Sequence, residues 1–205
     1  PTIFFSVPRL WVKFQQAIQH KMPEHKLQRL LGLPLIGGLV RRKIQKTLGL
    51  DQARICAGGA APMPLALLQW YSKLGISINE GYGMTENLAV SHITVPGKNQ
   101  QGSVGPAYEG VQDRIDPESG EIQMKSPAVM QGYYKAPEQT RDAFTADGWL
   151  RTGDKGRIDS DKCLHITGRV KDLFKTGKGK YVAPAPIEDK LGGHEAVEAC
   201  VVTGA

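Results

Sequence analysis

The sequence predicts an α/β portion that continues into a β-rich portion, because its hydrophobic pattern changes once along the chain. Up to about residue 100, apolar residues recur at helical spacing between short apolar runs typical of strands. Beyond Pro96, short β-like runs alternate with turn residues, and helical periodicity largely disappears. The 205 residues are 40% hydrophobic and 22% charged, which suits one large or two smaller globular domains.

The chain opens with a predicted strand and two predicted helices. Residues 3–5 are a short apolar strand, and a helix is expected from about Arg9 because Ser6 and Pro8 supply a start signal. Its apolar face repeats at helical spacing, so Trp11 is most simply a core residue. A loop around Pro23 and a Gly/Pro-rich stretch precede the second helix. That helix has one apolar face and ends at a glycine, as shown by Val40, Ile44, Leu48 and Gly49.

A strand, a small loop, a helix and a second strand follow in that order. Residues 54–57 form the first strand, Pro64 to Leu74 the helix, and residues 76–78 the start of the second strand. The loop Gly58-Gly59-Ala60-Ala61-Pro62 matches neither a GxGxxG nor a Walker sequence. Strands joined by a helix imply a parallel pair, so this loop and the end of the next strand are expected to line one crevice.

A candidate site comes directly after that second strand. Gly81 and Gly83 flank Tyr82, so the backbone can turn sharply while the ring offers a face for stacking. Thr85 can donate a hydrogen bond to a phosphate oxygen, and Glu86 is an oxygen ligand of the kind that Mg²⁺ accepts. The alternative is a glycine-rich turn from strand to helix with Thr85 as the N-cap.

Two hairpins are predicted in the β-rich portion, around residues 117–120 and 159–162. Between them, Asp154 follows a strand in a turn bounded by glycines. Its carboxylate could accept both hydroxyls of a ribose, or it could serve the turn alone. Residues 167–184 are rich in cations and glycine but fail the Walker pattern, because Tyr181 follows Gly179-Lys180. A two-stranded ribbon is expected there, followed by a helix over 187–191 and a strand over 197–202 in a small new domain.

Charge and cysteine usage limit the function classes. Residues 1–50 hold nine Lys or Arg against the single acid Glu24, whereas the remaining chain is slightly acidic. We rank solvent first for this basic end, a membrane surface second and nucleic acid last, since aromatic residues are sparse and no nucleic-acid motif is present. The three widely spaced cysteines predict reduced thiols in a cytoplasmic protein, with no zinc site. No apolar run reaches the roughly 20 residues that span a bilayer.

Taken together, these motifs resemble the adenylate-forming (AMP-binding) superfamily in order and approximate spacing. The resemblance covers essentially the whole chain and rests on Gly58 to Pro62, Gly81 to Glu86, Gly148 to Asp154 and Gly168 to Pro184. Two further stretches look most like AMP-forming long-chain fatty acyl-CoA synthetases: Val7-Pro8-Arg9-Leu10-Trp11 and Lys178-Gly179-Lys180-Tyr181-Val182-Ala183-Pro184.

That resemblance implies the back half of a large N-terminal adenylation domain and the start of a small α+β C-terminal domain. Residues 1–168 would belong to the large domain, as an α/β portion over 1–100 and a β-rich portion over 101–168. Residues 169–205 would form the hinge and the start of the small domain. The implied reaction joins a fatty carboxylate to the α-phosphate of Mg-ATP, releasing pyrophosphate, and then passes the acyl group to coenzyme A.

The resemblance also assigns roles to single residues. Tyr82 would stack on adenine, Thr85 would hold the α-phosphate, Glu86 would bind Mg²⁺, and Asp154 with Arg169 would hold the ribose side. Lys171 matches a hinge position. Trp11 matches a gate to the acyl tunnel in some long-chain members, which competes with its core interpretation. The implied catalytic residues are Thr85, Glu86 and Lys171, and the implied substrate contacts are Trp11 and Gly58. The implied nucleotide contacts are Gly59, Ala60, Ala61, Pro62, Gly81, Tyr82, Gly83, Thr85, Asp154 and Arg169.

Two elements of the family pattern lie outside these residues, namely its phosphate loop and its late adenylation lysine. We therefore expect a fragment that is inactive alone, with fatty acid, ATP and coenzyme A as partners of the whole enzyme. The alternatives are an adenylating enzyme for an aryl or shorter-chain acid, and a non-catalytic interaction module that contacts a membrane surface through residues 1–50. The sequence fixes neither the acyl chain length nor the oligomeric state.

Overall fold

A computed structural model describes residues 1–98, 100, 102–172, 174–175, 181–182, 184–192, 197 and 200–204. Its first sheet has four strands in spatial order: β1 (Ile3–Ser6), β2 (Ile55–Gly58), β3 (Ile78–Tyr82) and β4 (His92–Ile93). The first three strands are parallel, and β4 pairs antiparallel with β3. The parallel β2–β3 pair predicted from the order of elements is confirmed.

Four helices belong to this first portion: α1 (Pro8–Lys21), α2 (Glu24–Leu31), α3 (Ile36–Leu48) and α4 (Leu65–Lys73). The predictions for α1, α3 and α4 are confirmed, and Gly49 ends α3 in the left-handed conformation. The loop expected around Pro23 was wrong, because α2 begins immediately after that proline. This helix is two turns long and buries only Leu27 and Leu31, which is too short a repeat for periodicity to reveal.

One large apolar core joins these helices to the first sheet. Trp11 lies at its centre, fully buried, with its ring 5.1 Å from the Phe4 ring and 5.0 Å from the Tyr71 ring. The Tyr71 hydroxyl donates to the Trp11 carbonyl at 2.7 Å, so its polar tip is satisfied inside the core. The core interpretation of Trp11 is thus confirmed. None of the helices among the described residues is long and apolar enough to cross a membrane.

The second sheet is antiparallel, in the order β5 (Gln112–Ile115), β6 (Glu121–Lys125), β7 (Leu150–Ile158) and β8 (Leu164–Arg169). Both predicted hairpins are confirmed. A short helix, α5 (Pro137–Asp142), was not predicted, because six exposed or half-buried residues give no apolar repeat. The sheet packs around a small core of Ile122, Met124 and Leu164.

The last described elements are a two-stranded ribbon and a helix. β9 (Phe174–Lys175) pairs antiparallel with β10 (Tyr181–Val182), and α6 (Pro184–Gly192) follows, as predicted. The predicted ribbon tip over 176–180 lies outside the described residues. The strand expected over 197–202 is wrong for the residues of that range that the structure describes, which carry no strand. The domain boundary at 168/169 stays a prediction.

Candidate functional site

The candidate site forms where the two sheets meet. Leu164 of β8 exchanges two backbone hydrogen bonds with the segment before β5: Val104 donates to its carbonyl at 2.8 Å, and its own amide donates to Gly105 at 2.9 Å. Tyr82, the last residue of β3, packs against the small core of the second sheet. The carboxyl end of β3 therefore lies against β7 and β8.

Asp154 is the centre of the site. The Tyr82 hydroxyl donates to Asp154 Oδ2 at 2.7 Å, and Arg169 Nε lies 3.2 Å from Asp154 Oδ1. Asp154 and Arg169 are paired across β7 and β8, so the sheet register itself brings them together. Burial raises the pKa of Tyr82 far above its ordinary value, and the Asp154 charge raises it further. The phenol therefore stays protonated and able to donate.

The turn predicted around Asp154 was wrong, because Asp154 lies inside the nine-residue strand β7. The turn comes earlier, at residues 145–148. Thr152 supports the carboxylate from the same strand: its Oγ1 donates to the Ile122 carbonyl at 2.7 Å and accepts from the Asp154 amide at 3.1 Å. A side chain anchored in a strand in this way is held more firmly than one in a glycine turn.

The loop that follows β2 lies beside the end of β3, as predicted. A Cβ added at Gly59 would stand 2.9 Å from the Gly81 carbonyl oxygen, so this close approach of two backbones requires glycine. The next residue, Ala60, has φ 66°, a left-handed conformation that alanine rarely adopts. Ala60, Ala61 and Pro62 are exposed, so the loop presents small side chains at the carboxyl edge of the sheet.

The segment after Tyr82 folds into a 3₁₀ turn over Thr85–Asn87. The N-cap is Met84, which corrects the alternative in which Thr85 held that position. Asn87 is buried and its Oδ1 accepts from the Met84 amide at 2.9 Å. A Cβ at Gly83 would stand 2.5 Å from Ala89 Cα, so this glycine also serves a tight backbone contact. The Thr85 side chain is left exposed.

Glu86 is held by a segment that sequence reasoning missed. The Tyr133 hydroxyl donates to Glu86 Oε1 at 2.7 Å, and the Met130 amide donates to the Glu86 carbonyl at 2.7 Å. The hydrogen bond to Glu86 raises the pKa of Tyr133, as does its desolvation. The contact joins residues 47 positions apart, and no spacing rule in the sequence connects them.

The oxygen atoms that the site offers suit a Mg²⁺ ion that is held partly by the protein and partly by a bound substrate. Among the described residues, no three His, Cys, Asp or Glu side chains group to hold a metal ion. Mg²⁺ commonly uses only one or two protein carboxylates together with nucleotide phosphates, and Glu86 offers one half-buried carboxylate near the exposed Thr85. The residues therefore fit a metal that arrives with a nucleotide.

The remaining predicted site residues lie around this centre in different environments. A Cβ at Gly58 would stand 3.6 Å from Trp11 Nε1, so the two predicted substrate residues are neighbours inside the core. Trp11 Nε1 is buried and has no hydrogen-bond partner among the described residues. Lys171 is exposed in a turn two residues beyond β8. The gate and hinge roles stay predictions.

The fold agrees with the comparisons to known proteins. The family model of the AMP-binding enzyme matches residues 1–134, and the chain belongs to that family. Among curated relatives, long-chain-fatty-acid–CoA ligase FadD15 of Mycobacterium bovis is 39% identical over 81% of this chain and 27% of its own length. Long-chain-fatty-acid–CoA ligase 5 of Rattus norvegicus is 34% identical over 92% of this chain and 32% of its own length.

Solved structures of related ligases share the fold. The anthranilate CoA ligase AuaEII in complex with anthranoyl-AMP superposes with a TM-score of 0.73 at 28% identity, covering 98% of this chain and 36% of that one. A malonyl-CoA ligase product complex with methylmalonyl-CoA and AMP has a TM-score of 0.61 at 29% identity, covering 100% and 41%. The chain thus spans between 27% and 41% of the length of these four proteins.

Proposed function

We propose that this chain forms the base and ribose side of the nucleotide site in an acyl-CoA ligase that activates a fatty carboxylate with ATP. The observation that carries the proposal is the cluster of Tyr82, Asp154 and Arg169 beside the small-residue loop after β2. A carboxylate can accept about four hydrogen bonds. Asp154 uses two of these in the present geometry, so capacity remains for the two hydroxyls of a ribose.

Each residue would act by positioning or by charge. Asp154 accepts the ribose hydroxyls, and Tyr82 presents its ring to adenine while its hydroxyl fixes the carboxylate. Arg169 is 67% exposed at its side chain and can turn from Asp154 toward a phosphate, because an exposed ion pair of this kind contributes little stability. Holding ATP and a carboxylate in the right geometry supplies much of the rate enhancement in such a reaction.

The phosphate side of the site would be formed by the 3₁₀ turn. The Thr85 hydroxyl donates to the α-phosphate, and Glu86 holds Mg²⁺ in an orientation set by Tyr133. When bound, Mg²⁺ neutralises phosphate charge as the carboxylate attacks. Lys171 would be the hinge about which residues 169–205 rotate before coenzyme A accepts the acyl group. We place the protein in the cytoplasm on its cysteine usage.

The acid substrate is proposed from the relatives. Two of the curated relatives described above are named long-chain-fatty-acid–CoA ligases, which favours a long-chain fatty acid with Trp11 and Gly58 near its path. The similarity to an anthranilate CoA ligase keeps an aryl acid as the second candidate. Thermal shifts with a palmitoyl-adenylate analogue and with an anthraniloyl-adenylate analogue distinguish the two, because only the matching acyl group adds stabilisation beyond that of AMP.

The nucleotide site is tested by calorimetric titration of an acyl-adenylate analogue into the purified chain and into Asp154→Ala. Asp154→Ala should weaken binding about 10- to 100-fold, since hydrogen bonds to a charged group contribute about 1.5–3 kcal/mol. Asp147→Ala is the matched control, because Asp147 is an exposed aspartate that pairs with Arg114 on the same sheet. Equal affinity of the two variants would contradict the proposed role of Asp154.

Catalysis by this chain alone is a separate question with a separate assay. We expect no fatty-acid-dependent exchange of pyrophosphate into ATP, since the family's phosphate loop and adenylation lysine lie outside these residues. Exchange by the purified chain at the rate of a complete ligase would refute this expectation while leaving the nucleotide site intact.

A further inference from the structure

The junction between α2 and α3 exposes four large apolar side chains. Leu35 is 90% exposed and Leu39 70%, with Ile36 at 45% and Leu33 at 41%. We call these four residues the apolar tip. Four exposed aliphatic side chains within seven residues exceed the single apolar residues that are normal on a folded surface, and such a group marks a site of interaction. Leu35 also has φ 66° and ψ −47°, which a leucine rarely adopts, so the backbone holds this side chain outward at a cost.

Cations continue the same surface along α3. Arg42, Lys43 and Lys46 follow Leu39 at intervals of three, four and seven residues, which places all four on one face of the helix. All three cations are exposed. The opposite face carries Val40, Ile44 and Leu48, which pack against the large core. The helix therefore turns its apolar and basic stripe toward the outside.

The charge of this region is not balanced locally. Arg29 of α2 is a fourth exposed cation, four residues before Leu33 in the sequence, and residues 25–50 contain no Asp or Glu. Within the part of the chain that the structure describes, no ion pair joins Arg29, Arg42, Lys43 or Lys46 to a carboxylate. The surface therefore presents positive charge that an external anion would neutralise.

We propose that the apolar tip and these four cations dock on an anionic lipid surface. The tip enters the boundary between headgroups and acyl chains, and the cations lie among the headgroups. Lys46 is about 10 Å along the helix from Leu39, given a rise of about 1.5 Å per residue. Because the apolar tip is at the amino-terminal end of α3 and the cations follow it, the helix would lie along the membrane with its amino-terminal end deepest. The proposal does not depend on the proposed catalytic function.

Other occupants suit this surface less well. Nucleic acid would find phosphate contacts, but the tip offers aliphatic side chains where single-stranded ligands use aromatic rings. A second copy of this chain would bring like charges together. Another segment of the same polypeptide would have to supply several carboxylates opposite the cations.

The test is sedimentation of the chain with phosphatidylcholine vesicles, with and without phosphatidylserine. We expect binding only to the anionic vesicles and a decrease as salt is added. Each of Arg42→Gln, Lys43→Gln and Lys46→Gln should weaken binding about fivefold. Leu35→Ser with Leu39→Ser should weaken it at least about tenfold, because two aliphatic side chains no longer enter the bilayer.

Matched controls use cations and a leucine elsewhere on the surface. Arg157→Gln with Lys162→Gln, and separately Leu191→Ser, should leave vesicle binding unchanged, with circular dichroism showing that every variant is folded. Equal binding to neutral and anionic vesicles would overturn the proposal, as would no binding at all. The proposal would also fail if Leu35→Ser with Leu39→Ser bound anionic vesicles as well as the parent does. It would fail equally if that double variant lost RNA binding or dimer formation but kept its vesicle binding.

Discussion

The two sheets of this protein are stabilised in different ways. Within the described residues, the first sheet and its helices share a core of twelve buried apolar residues that includes Trp11 and Tyr71, whereas the second sheet has a core of three. The first sheet buries the polar side chains of Asn79 and His92 as well, and the second sheet buries Glu121, Gln123 and Thr152 among its strands. These side chains are satisfied across the sheet, since Glu121 accepts from the Gly153 amide at 3.0 Å and Gln123 accepts from Arg114 Nε at 2.7 Å.

The candidate site lies where the end of β3 in the first sheet meets the polar side chains of the second sheet. An apolar core tolerates imprecise packing, but hydrogen bonds fix direction and distance, and a buried polar network is stable only when its members are satisfied. The first sheet supplies a rigid platform that carries Tyr82 and the loop after β2. The second sheet supplies a carboxylate, Asp154, whose position is set by hydrogen bonds.

The largest expected effect is on stability in the first core. Leu74→Ala should lower the free energy of unfolding by about 2–5 kcal/mol, because Leu74 is fully buried and its removal leaves a cavity. Leu164→Ala removes an equally buried leucine from the three-residue core and should fall at the lower end of that range. Urea denaturation of both variants checks the ranking. A larger loss for Leu164→Ala would reverse the comparison between the two sheets.

The next effect concerns the polar network. Thr152→Val keeps the side-chain shape but removes the hydroxyl that bonds the Ile122 carbonyl and the Asp154 amide, which should cost about 1–3 kcal/mol in the free energy of unfolding. It should also weaken nucleotide binding, because Asp154 loses its support. Thr47→Val is the control, as Thr47 is an exposed helical residue whose hydroxyl donates to the Lys43 carbonyl. If Thr152→Val and Thr47→Val had equal effects on the free energy of unfolding and on nucleotide binding, Thr152 would not support Asp154 as described.

A smaller effect is expected at Tyr133. Tyr133→Phe removes the hydrogen bond to Glu86 Oε1 and should reduce affinity for Mg-ATP about two- to tenfold, in keeping with a net hydrogen bond of about 0.5–1.5 kcal/mol. Affinity for ATP with the metal chelated should change little, since the hydroxyl acts through Glu86. Tyr134→Phe is the control, because its ring is 87% exposed. A loss that persists without metal would assign Tyr133 another role.

The smallest effect is a pH dependence in the first region. Burial opposes ionisation of Glu24, but hydrogen bonds from Gln28, Trp70 and Gln19 together lower its pKa below the ordinary value. A lowered folded pKa means that this stabilisation is present above the unfolded pKa of about 4.5 and is lost as pH falls through the folded value. The melting temperature of the parent should therefore fall more steeply below about pH 4.5 than that of Glu24→Gln. Parallel curves would contradict this account.

Local signals predicted most of the fold. The parallel β2–β3 pair followed from the order of strand, loop, helix and strand, and both hairpins followed from their turn residues. The helices α2 and α5 were missed because each is at most two turns long, so their helicity depends on tertiary contacts more than on pattern.

The site was predictable only where its residues are close in sequence or follow a known motif. Gly81 to Glu86 fall within six consecutive residues, and the structure places Gly81 beside Gly59 in the loop after β2. The contacts of Tyr82 with Asp154 and of Glu86 with Tyr133 span 72 and 47 residues, so only folding brings them together. Placing Asp154 in a turn failed because its flanking glycines were taken as turn residues, while Gly153 with φ 72° lies within the strand.

The most direct test of the central claim compares AMP with 2′,3′-dideoxy-AMP as ligands of the parent chain and of Asp154→Asn. If Asp154 holds the ribose hydroxyls, the parent should prefer AMP by about tenfold or more, the equivalent of about 1.4 kcal/mol, and Asp154→Asn should lose most of that preference. An unchanged preference in the variant, or none in the parent, would contradict the assignment of the Tyr82, Asp154 and Arg169 cluster as the ribose site.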